Sequence, residues 1–258
     1  MTTETRASLM KLPGMSKAAR MKDRLQWRYR LMRLTHAGQD RVALASFPRS
    51  GNTWLRFVLE AATGELTGNA SEQTARVLPR GKDGIVIKTH RRDAYRYMRA
   101  IHLVRSPFDV VDSFYDWRCS LGWRGKRGEE SWDDFVRRII PLWTLHTRHW
   151  LESGTPTVLI RYEDCLSEPA QQFDSLLRWL NRPVSGETLE AAIAATSFKE
   201  LKRKQAAESA VAGTFFRRGT SAKGIERFSP EQRRWVLNHA RRELQRCGYG
   251  QLFEEGIG

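Results

Sequence analysis

The residues with the most chemical potential stand between positions 46 and 54, S-F-P-R-S-G-N-T-W, directly after R-V-A-L-A and directly before L-R-F-V-L-E-A-A. An apolar run that enters a Pro/Ser/Gly/Asn turn and then opens an amphipathic helix is the layout of an anion cradle. The first helical turn leaves N–H groups without carbonyl partners, here expected at Ser50 to Thr53, and the aligned peptide dipoles add partial positive charge at the same spot. Gly51 lets the main chain approach a ligand, the hydroxyls of Ser50 and Thr53 can donate, and Arg49 adds a forked cation. The pattern G-x-x-x-x-G-K-[ST] is absent, and no acidic strand end follows that would hold magnesium. The loop therefore suits a terminal monophosphate or a sulfuryl group better than a metal-bound triphosphate. Taken alone it reads equally well as a capped helix start with Arg49 solvated. A second chemical group, K-T-H at 88–90, follows the apolar I-V-I and offers a histidine whose ordinary pKa lies near neutrality.

Elements must bring these groups together. Residues 41–46, 85–88, 100–104 and 157–160 are short, rich in β-branched residues and bounded by turn formers, so they are expected to be buried strands. Helical patterns run over 52–62, 107–118, 132–151, 168–180 and 230–246. The alternation predicts an α/β three-layer sandwich with a central, mainly parallel sheet and a P-loop-like anion loop. The ligand crevice of such a sheet lies at the carboxyl ends of its strands, where both the 46–54 loop and K-T-H fall. Two glycine-rich irregular stretches, 119–130 and 207–213, are candidates for substrate lids or ordinary surface loops.

The 258 residues, 40% of them hydrophobic, suffice for one large core, expected over 41–258. Residues 1–40 form a basic extension, with R-L-Q-W-R-Y-R-L-M-R-L at 24–34 spaced as a helix. A solvated basic helix on the domain edge is the first reading; peripheral membrane contact or a targeting segment are the alternatives. Lys plus Arg number 44 against 29 Asp plus Glu, a formal charge of +15 that favours anionic partners. Cys119, Cys165 and Cys247 are widely spaced and odd in number, which argues against a disulfide framework or a zinc site and for a reducing, cytoplasmic setting. No apolar run approaches the ~20 residues of a membrane span, and no secretory signal core stands at the N-terminus.

With these motifs in order, the chain resembles the sulfotransferases of the cytosolic type, which take a sulfuryl group from 3'-phosphoadenosine 5'-phosphosulfate (PAPS) and release 3'-phosphoadenosine 5'-phosphate (PAP). F-P-R-S-G-N-T-W matches the family's phosphosulfate loop, and L-V-R-S-P-F-D-V-V-D-S at 103–113 its R-x-P-x-D-x-x-x-S signature. R-Y-E-D at 161–164, T-S-F-K-E-L-K at 196–202 and F-F-R-R-G at 215–219 follow in the family's order. The resemblance implies that Arg49, Ser50, Gly51, Asn52, Thr53 and Trp54 hold the phosphosulfate, and that Arg105 and Ser113 hold the 3'-phosphate. It further implies Tyr162, Thr196 and Phe198 around adenine, with Arg217, Arg218 and Gly219 on the 3'-phosphate. By the same resemblance His90 is the catalytic base, Lys88 and Arg49 stabilise developing charge, and no metal takes part.

Several positions depart from the family's pattern. Arg49 and Arg218 stand where lysine is common, and K-G-I at 223–225 replaces a frequent Trp-Lys element. Arg91 and Arg92 follow His90 in place of an apolar-Pro continuation and hint at an anionic or polar acceptor. The acceptor is expected to be a small molecule, sugar or lipid-like compound, including a glycolipid-like one, offering a hydroxyl or amine. Tyr95, Tyr97, Tyr115, Trp117 and Trp123 are candidates for its pocket or for the core. His102 reads as a buried, hydrogen-bonded strand residue; His36, His146, His149 and His239 carry no motif. The dimerisation motif of some relatives is not recognisable, which leaves oligomeric state open. The rival readings are a P-loop kinase-like enzyme, which lacks its lysine and acids here, and a basic nucleic-acid-binding protein. Basic residues spread over the whole chain argue against nucleic acid as the partner.

Overall fold

The computed structural model describes residues 42–69, 84–120, 130–201, 203 and 223–255, all within one compact unit, Arg41–Gly258. The basic stretch 1–40, residues 121–129 of the candidate lid 119–130, the candidate lid 207–213, Trp123, and Arg217, Arg218 and Gly219 lie outside the described residues, while Cys119 and Ser120 end a helix.

Five strands, β1 (Val42–Ser46), β2 (Gly68–Asn69), β3 (Ile87–Thr89), β4 (Arg99–Val104) and β5 (Thr157–Arg161), form one sheet in the order β2-β3-β1-β4-β5. Every pairing is parallel, with Leu44 beside Lys88 and Ile101, and Ala45 beside Thr89 and His102. The chain builds β2 and β3 on one side of β1 and then crosses to β4 and β5 on the other. β1 is thus the topological switch point, and the crevice belongs at its carboxyl end.

The sheet is apolar on both faces because helices cover both, as crossover connections require. On one face α1 (Asn52–Thr63), α5 (Pro169–Trp179) and α6 (Gly186–Ala195) pack Leu55, Leu59, Phe173 and Leu189 against Leu44, Ile101 and Leu103. On the other, α2 (Pro107–Ser120), α3 (Trp132–Leu151), α7 (Pro230–His239) and α8 (Arg241–Arg246) enclose Phe47, Val104, Phe135, Trp143 and Leu244. Two further short helices complete the described elements, α4 (Tyr162–Ser167) and α9 (Leu252–Glu255), with 3₁₀ turns at Ala94–Arg96 and Gly224–Arg227.

Local chemistry sets the ends. Ser131 caps α3 by accepting from the Asp134 N–H at 3.1 Å, and Ser229 with Gln232 forms a capping box on α7. The expected helix 230–246 is interrupted at Ala240 (φ −105°), just after Asn238 and His239, both weak helix formers. Strand β2 and helices α4, α6 and α9 are additions to the expected set. α4 starts directly from β5 with no turn residue to announce it, and α6 buries only Leu189 and Ala192, too little for a periodic signal. Among the described residues no helix is long and apolar enough to cross a membrane.

Candidate functional site

The 46–54 loop connects β1 to α1 at the switch point. Four apolar side chains of α1, Leu55, Val58, Leu59 and Ala62, are buried in the core. At about 1.5–3 kcal/mol for each fully buried aliphatic, they fix the helix start firmly against the sheet. Asn52 adds a polar tie, its Nδ2 donating to the Leu44 carbonyl at 3.2 Å and to Ser46 Oγ at 3.0 Å. The backbone turns through two left-handed residues, Arg49 (φ 72°) and Gly51 (φ 93°). A Cβ on Gly51 would lie 2.3 Å from Cδ2 of Tyr162, so the tyrosine ring closes directly over the loop.

The free donors are shifted one residue from the expected set. Ser50 N–H donates to the Phe47 carbonyl at 3.3 Å, and the first helical bond runs from Leu55 N–H to Gly51 at 3.2 Å. Among the described residues, the N–H groups of Gly51, Asn52, Thr53 and Trp54 have no acceptor. Ser50 Oγ is buried without a partner, as is Asn52 Oδ1. An unsatisfied buried hydroxyl costs about 1–3 kcal/mol, and the open N–H groups beside it are what face the cavity. The residues present therefore fit a phosphate- or sulfate-like group.

Lys88 and His90 meet this cradle from β3, the neighbouring strand. Among the described residues no carboxylate or hydrogen-bond acceptor pairs with Lys88, and its pKa is lowered by burial and then by the Arg56 guanidinium. An unpaired, half-buried ammonium is a cation waiting for an anion. His90 Nδ1 lies 2.7 Å from the Ser46 carbonyl oxygen. A carbonyl can only accept, so Nδ1 carries the proton and Nε2 keeps its lone pair. The ring keeps accessible surface toward the cavity, yet protein crowds it elsewhere; that burial, opposed by the Ser46 bond and aided by Lys88, lowers its pKa to about 4. His90 is thus a neutral base at pH 7.

The second signature comes alongside through β4 and α2. Arg105 donates to the Arg49 carbonyl at 3.2 Å, lies 4.0 Å from Asp109 Oδ2, and spreads its guanidinium 4.7 Å from the Tyr162 ring centre. Ser113 Oγ accepts from Arg49 Nε at 3.2 Å, and Trp117 lies under the same guanidinium at 5.8 Å. The side chain of Arg49, expected to serve the phosphosulfate, reaches Ser113 on α2 and lines the same cavity as the loop, Lys88 and His90.

A cavity of about 620 Å³ joins these groups, lined among others by Arg49, Gly51, Asn52, Thr53, Trp54, Lys88, His90, Arg105, Ser113, Tyr162 and Phe198. Ser50 and Thr196 stand off its wall. Thr196 is buried and spends its hydroxyl on the Ala192 carbonyl at 2.7 Å, while its neighbour Ser197 lines the space. Of the aromatic candidates for an acceptor pocket, Trp117 lines the cavity. Tyr97 is core, packed on Trp150, and Tyr115 packs on Trp132 and Phe135. The Tyr95 side chain lies outside the described residues. His102 is buried as expected but Nδ1 has no hydrogen-bond partner, and it faces His146 at 5.9 Å between ring centres. Burial pushes its pKa down to about 3.

Long-range pairings that no local pattern announces complete the site. Asp109 Oδ1 accepts from the Gly224 N–H at 2.8 Å, and a Cβ on Gly224 would come within 2.6 Å of the Phe108 carbonyl. Arg227 bridges Asp112 and Asp116 at 2.9 Å each and lies 4.3 Å from the Trp132 ring. The K-G-I departure therefore docks on α2, the helix that carries Ser113. Glu163 ties the Ser106 N–H (2.9 Å) to the Tyr249 hydroxyl (2.7 Å) and so holds the start of α2 to the C-terminal segment. Among the described residues no group of three or more His, Cys, Asp or Glu is placed to hold a metal ion.

Comparison with known proteins agrees with this geometry. Residues 39–248 match the family model described as the sulfotransferase domain. A WSCD family member of Aedes aegypti is 32% identical over 177 residues, 60% of this chain and 55% of the relative. Sulfotransferase 1A1 of Bos taurus is 24% identical over 201 residues, 65% and 68% of the two chains. The chain spans about half the length of the WSCD relatives it matches. Among solved structures, mouse sulfotransferase SULT7A1 complexed with PAP has the same fold, with a TM-score of 0.65, 20% identity and coverage of 84% of this chain and 87% of the other. Retinol dehydratase in a complex with retinol and PAP follows, with a TM-score of 0.61, 15% identity and coverage of 80% and 81%. Motif order, fold and family match converge: the chain belongs to the sulfotransferase domain family.

Proposed function

We propose that the protein transfers a sulfuryl group from PAPS to a hydroxyl or amine of a small-molecule, sugar or lipid-like acceptor, with His90 as general base. One observation carries this reading. The unpaired donors of Gly51 to Trp54, the unpaired Lys88 and the free Nε2 of His90 belong to the same cavity as Arg105 and Ser113.

When bound, PAPS supplies the sulfuryl group and a 5'-phosphate that leaves with the bonding electrons. The chain's own residues do the rest. Nε2 of His90 takes the proton of the acceptor hydroxyl, and its Nδ1–H bond to Ser46 fixes the ring and the tautomer. Lys88 and the helix N–H groups neutralise negative charge that builds on the transferred and leaving oxygens, in a site where fixed cations act strongly. Arg105 and Ser113 hold the 3'-phosphate, and Tyr162 and Phe198 flank the adenine. The neighbours solved with retinol or androsterone beside PAP support a small-molecule acceptor. Three free thiols support a reducing compartment such as the cytoplasm.

Calorimetric titration with PAP, AMP and ATP tests the donor site. PAP is expected to bind at least tenfold more tightly than AMP, and Arg105→Ala to remove most of that preference, since a charge-assisted contact is worth about 1.5–3 kcal/mol. Equal affinity for PAP and AMP would sink the sulfotransferase reading and make the basic surface, and nucleic acid, the better lead.

A further inference from the structure

We propose that the acceptor carries its own negative charge, a carboxylate, sulfate or phosphate near the accepting hydroxyl, and that Arg91 and Arg92 recognise it. This rests on the sulfotransferase reading and names the substrate class of that site.

The turn that leaves His90 is pinned from several sides. Arg91 N–H donates to Thr89 Oγ1 at 3.1 Å, the Arg91 carbonyl accepts from Trp150 Nε1 at 3.1 Å, and Thr89 Oγ1 donates to Asp93 Oδ1 at 3.1 Å. The backbone is therefore fixed while both arginine side chains are exposed. Among the described residues neither guanidinium has an ion pair, a hydrogen-bond acceptor or an aromatic ring.

Counter-charges nearby are already committed. Asp93, the carboxylate of the same turn, is buried against Thr89 and lies 3.6 Å from Arg96. In the cavity wall, Asp109 faces Gly224 and Arg105, while Asp112 and Asp116 clamp Arg227. Lys88, two residues before His90, has no carboxylate partner among the described residues either. Lys88 and Arg105 line the cavity that would take the donor, whereas Arg91 and Arg92 stand outside that lining, on the turn directly after the base. Arg92 lies near enough to His149 and His146 on α3 to push both histidines toward the neutral form. A neutral phenol would gain nothing from this pair, whereas an anionic acceptor would be steered to the base and held beside it. Each guanidinium, carried on a pinned turn, offers a planar fork of donors that matches a carboxylate, sulfate or phosphate.

The test uses the full chain, PAPS as donor, and acceptors supplied as carboxylate and methyl ester pairs: p-nitrophenyl β-glucuronide, 4-hydroxybenzoate and 3-hydroxyphenylacetate. The expected result is transfer to the carboxylate forms with kcat/KM at least tenfold above the esters, a preference that shrinks as salt is raised. In the Arg91→Gln/Arg92→Gln variant that ratio falls toward one, chiefly through KM of the charged forms. Esters turned over as well as acids, an unchanged ratio in the variant, or no transfer to any acid by protein that binds PAP would each overturn the proposal. PAP titration of the same preparations separates this from the parent reading, since loss of PAP binding in the unaltered protein would refute the donor site itself.

Discussion

Gly51→Ala is the sharpest probe of the cradle. Its φ of 93° lies where an L side chain is strained, at about 1–2 kcal/mol. The new methyl group would stand 2.3 and 2.4 Å from Cδ2 and Cε2 of Tyr162, so the ring must move. That ring contacts Trp54 edge-on at 5.9 Å and carries the Arg105 guanidinium at 4.7 Å. Losing part of those contacts adds about 1 kcal/mol, since aromatic pairs and cation–π contacts are each worth roughly 0.5–1.5. The sum is about 2–3 kcal/mol, or roughly a 4–12 °C fall in Tm for a domain of this size. Urea unfolding measures the loss, and PAP calorimetry is expected to show affinity reduced at least tenfold because Arg105 is displaced. A double-mutant cycle with Tyr162→Ala separates the clash from the backbone strain. The clash vanishes in the double variant, so its destabilisation should be smaller than the sum of the single losses by about 1 kcal/mol. Strict additivity, or Gly51→Ala protein as stable as the parent, would refute the packing argument.

Three further outcomes are expected. His90→Ala should lower kcat by about 10²–10⁴-fold while PAP affinity stays within a few-fold, and equal loss of both would make His90 structural. His102 and His146 are buried neutral, with folded pKa values about 3 and well below 6.5 respectively, so their stabilising neutrality is complete above pH 6.5 and is lost as pH falls below it. Each can cost about 1.4 kcal/mol per pH unit, so urea midpoints should fall steeply between pH 6.5 and 5, and less steeply in His102→Gln; parallel slopes would assign the acid sensitivity elsewhere. Arg227→Ala should weaken PAP binding more than AMP binding, because it removes the clamp on Asp112 and Asp116 and loosens the segment docked on α2, the helix that carries Ser113; an equal effect on both nucleotides would limit Arg227 to general stability.

What could be read before folding was what lies close in sequence. The β1 strand, the Gly51 turn and α1 are contiguous, so the cradle announced itself, and K-T-H sat at a second strand end. Pairing across the chain could not be read in that way. Asp109 meets Gly224 across 115 residues and Glu163 meets Tyr249 across 86. Only the sheet order brings them together. Arg49 shows the intermediate case: its charge is plain in the sequence, yet its bond to Ser113, 64 residues on, is not. The same distinction explains the K-G-I departure. Without a side chain Gly224 lies directly on the backbone of Phe108 and Asp109, so the anchoring comes from Asp109 and from Arg227 three residues later. Where relatives have a Trp-Lys element, this segment is held by a guanidinium stacked on Trp132 and bonded to two carboxylates. An electrostatic clamp of that kind weakens with salt where an aromatic one would not, so the salt dependence of PAP binding should be steeper than its phosphate contacts alone require.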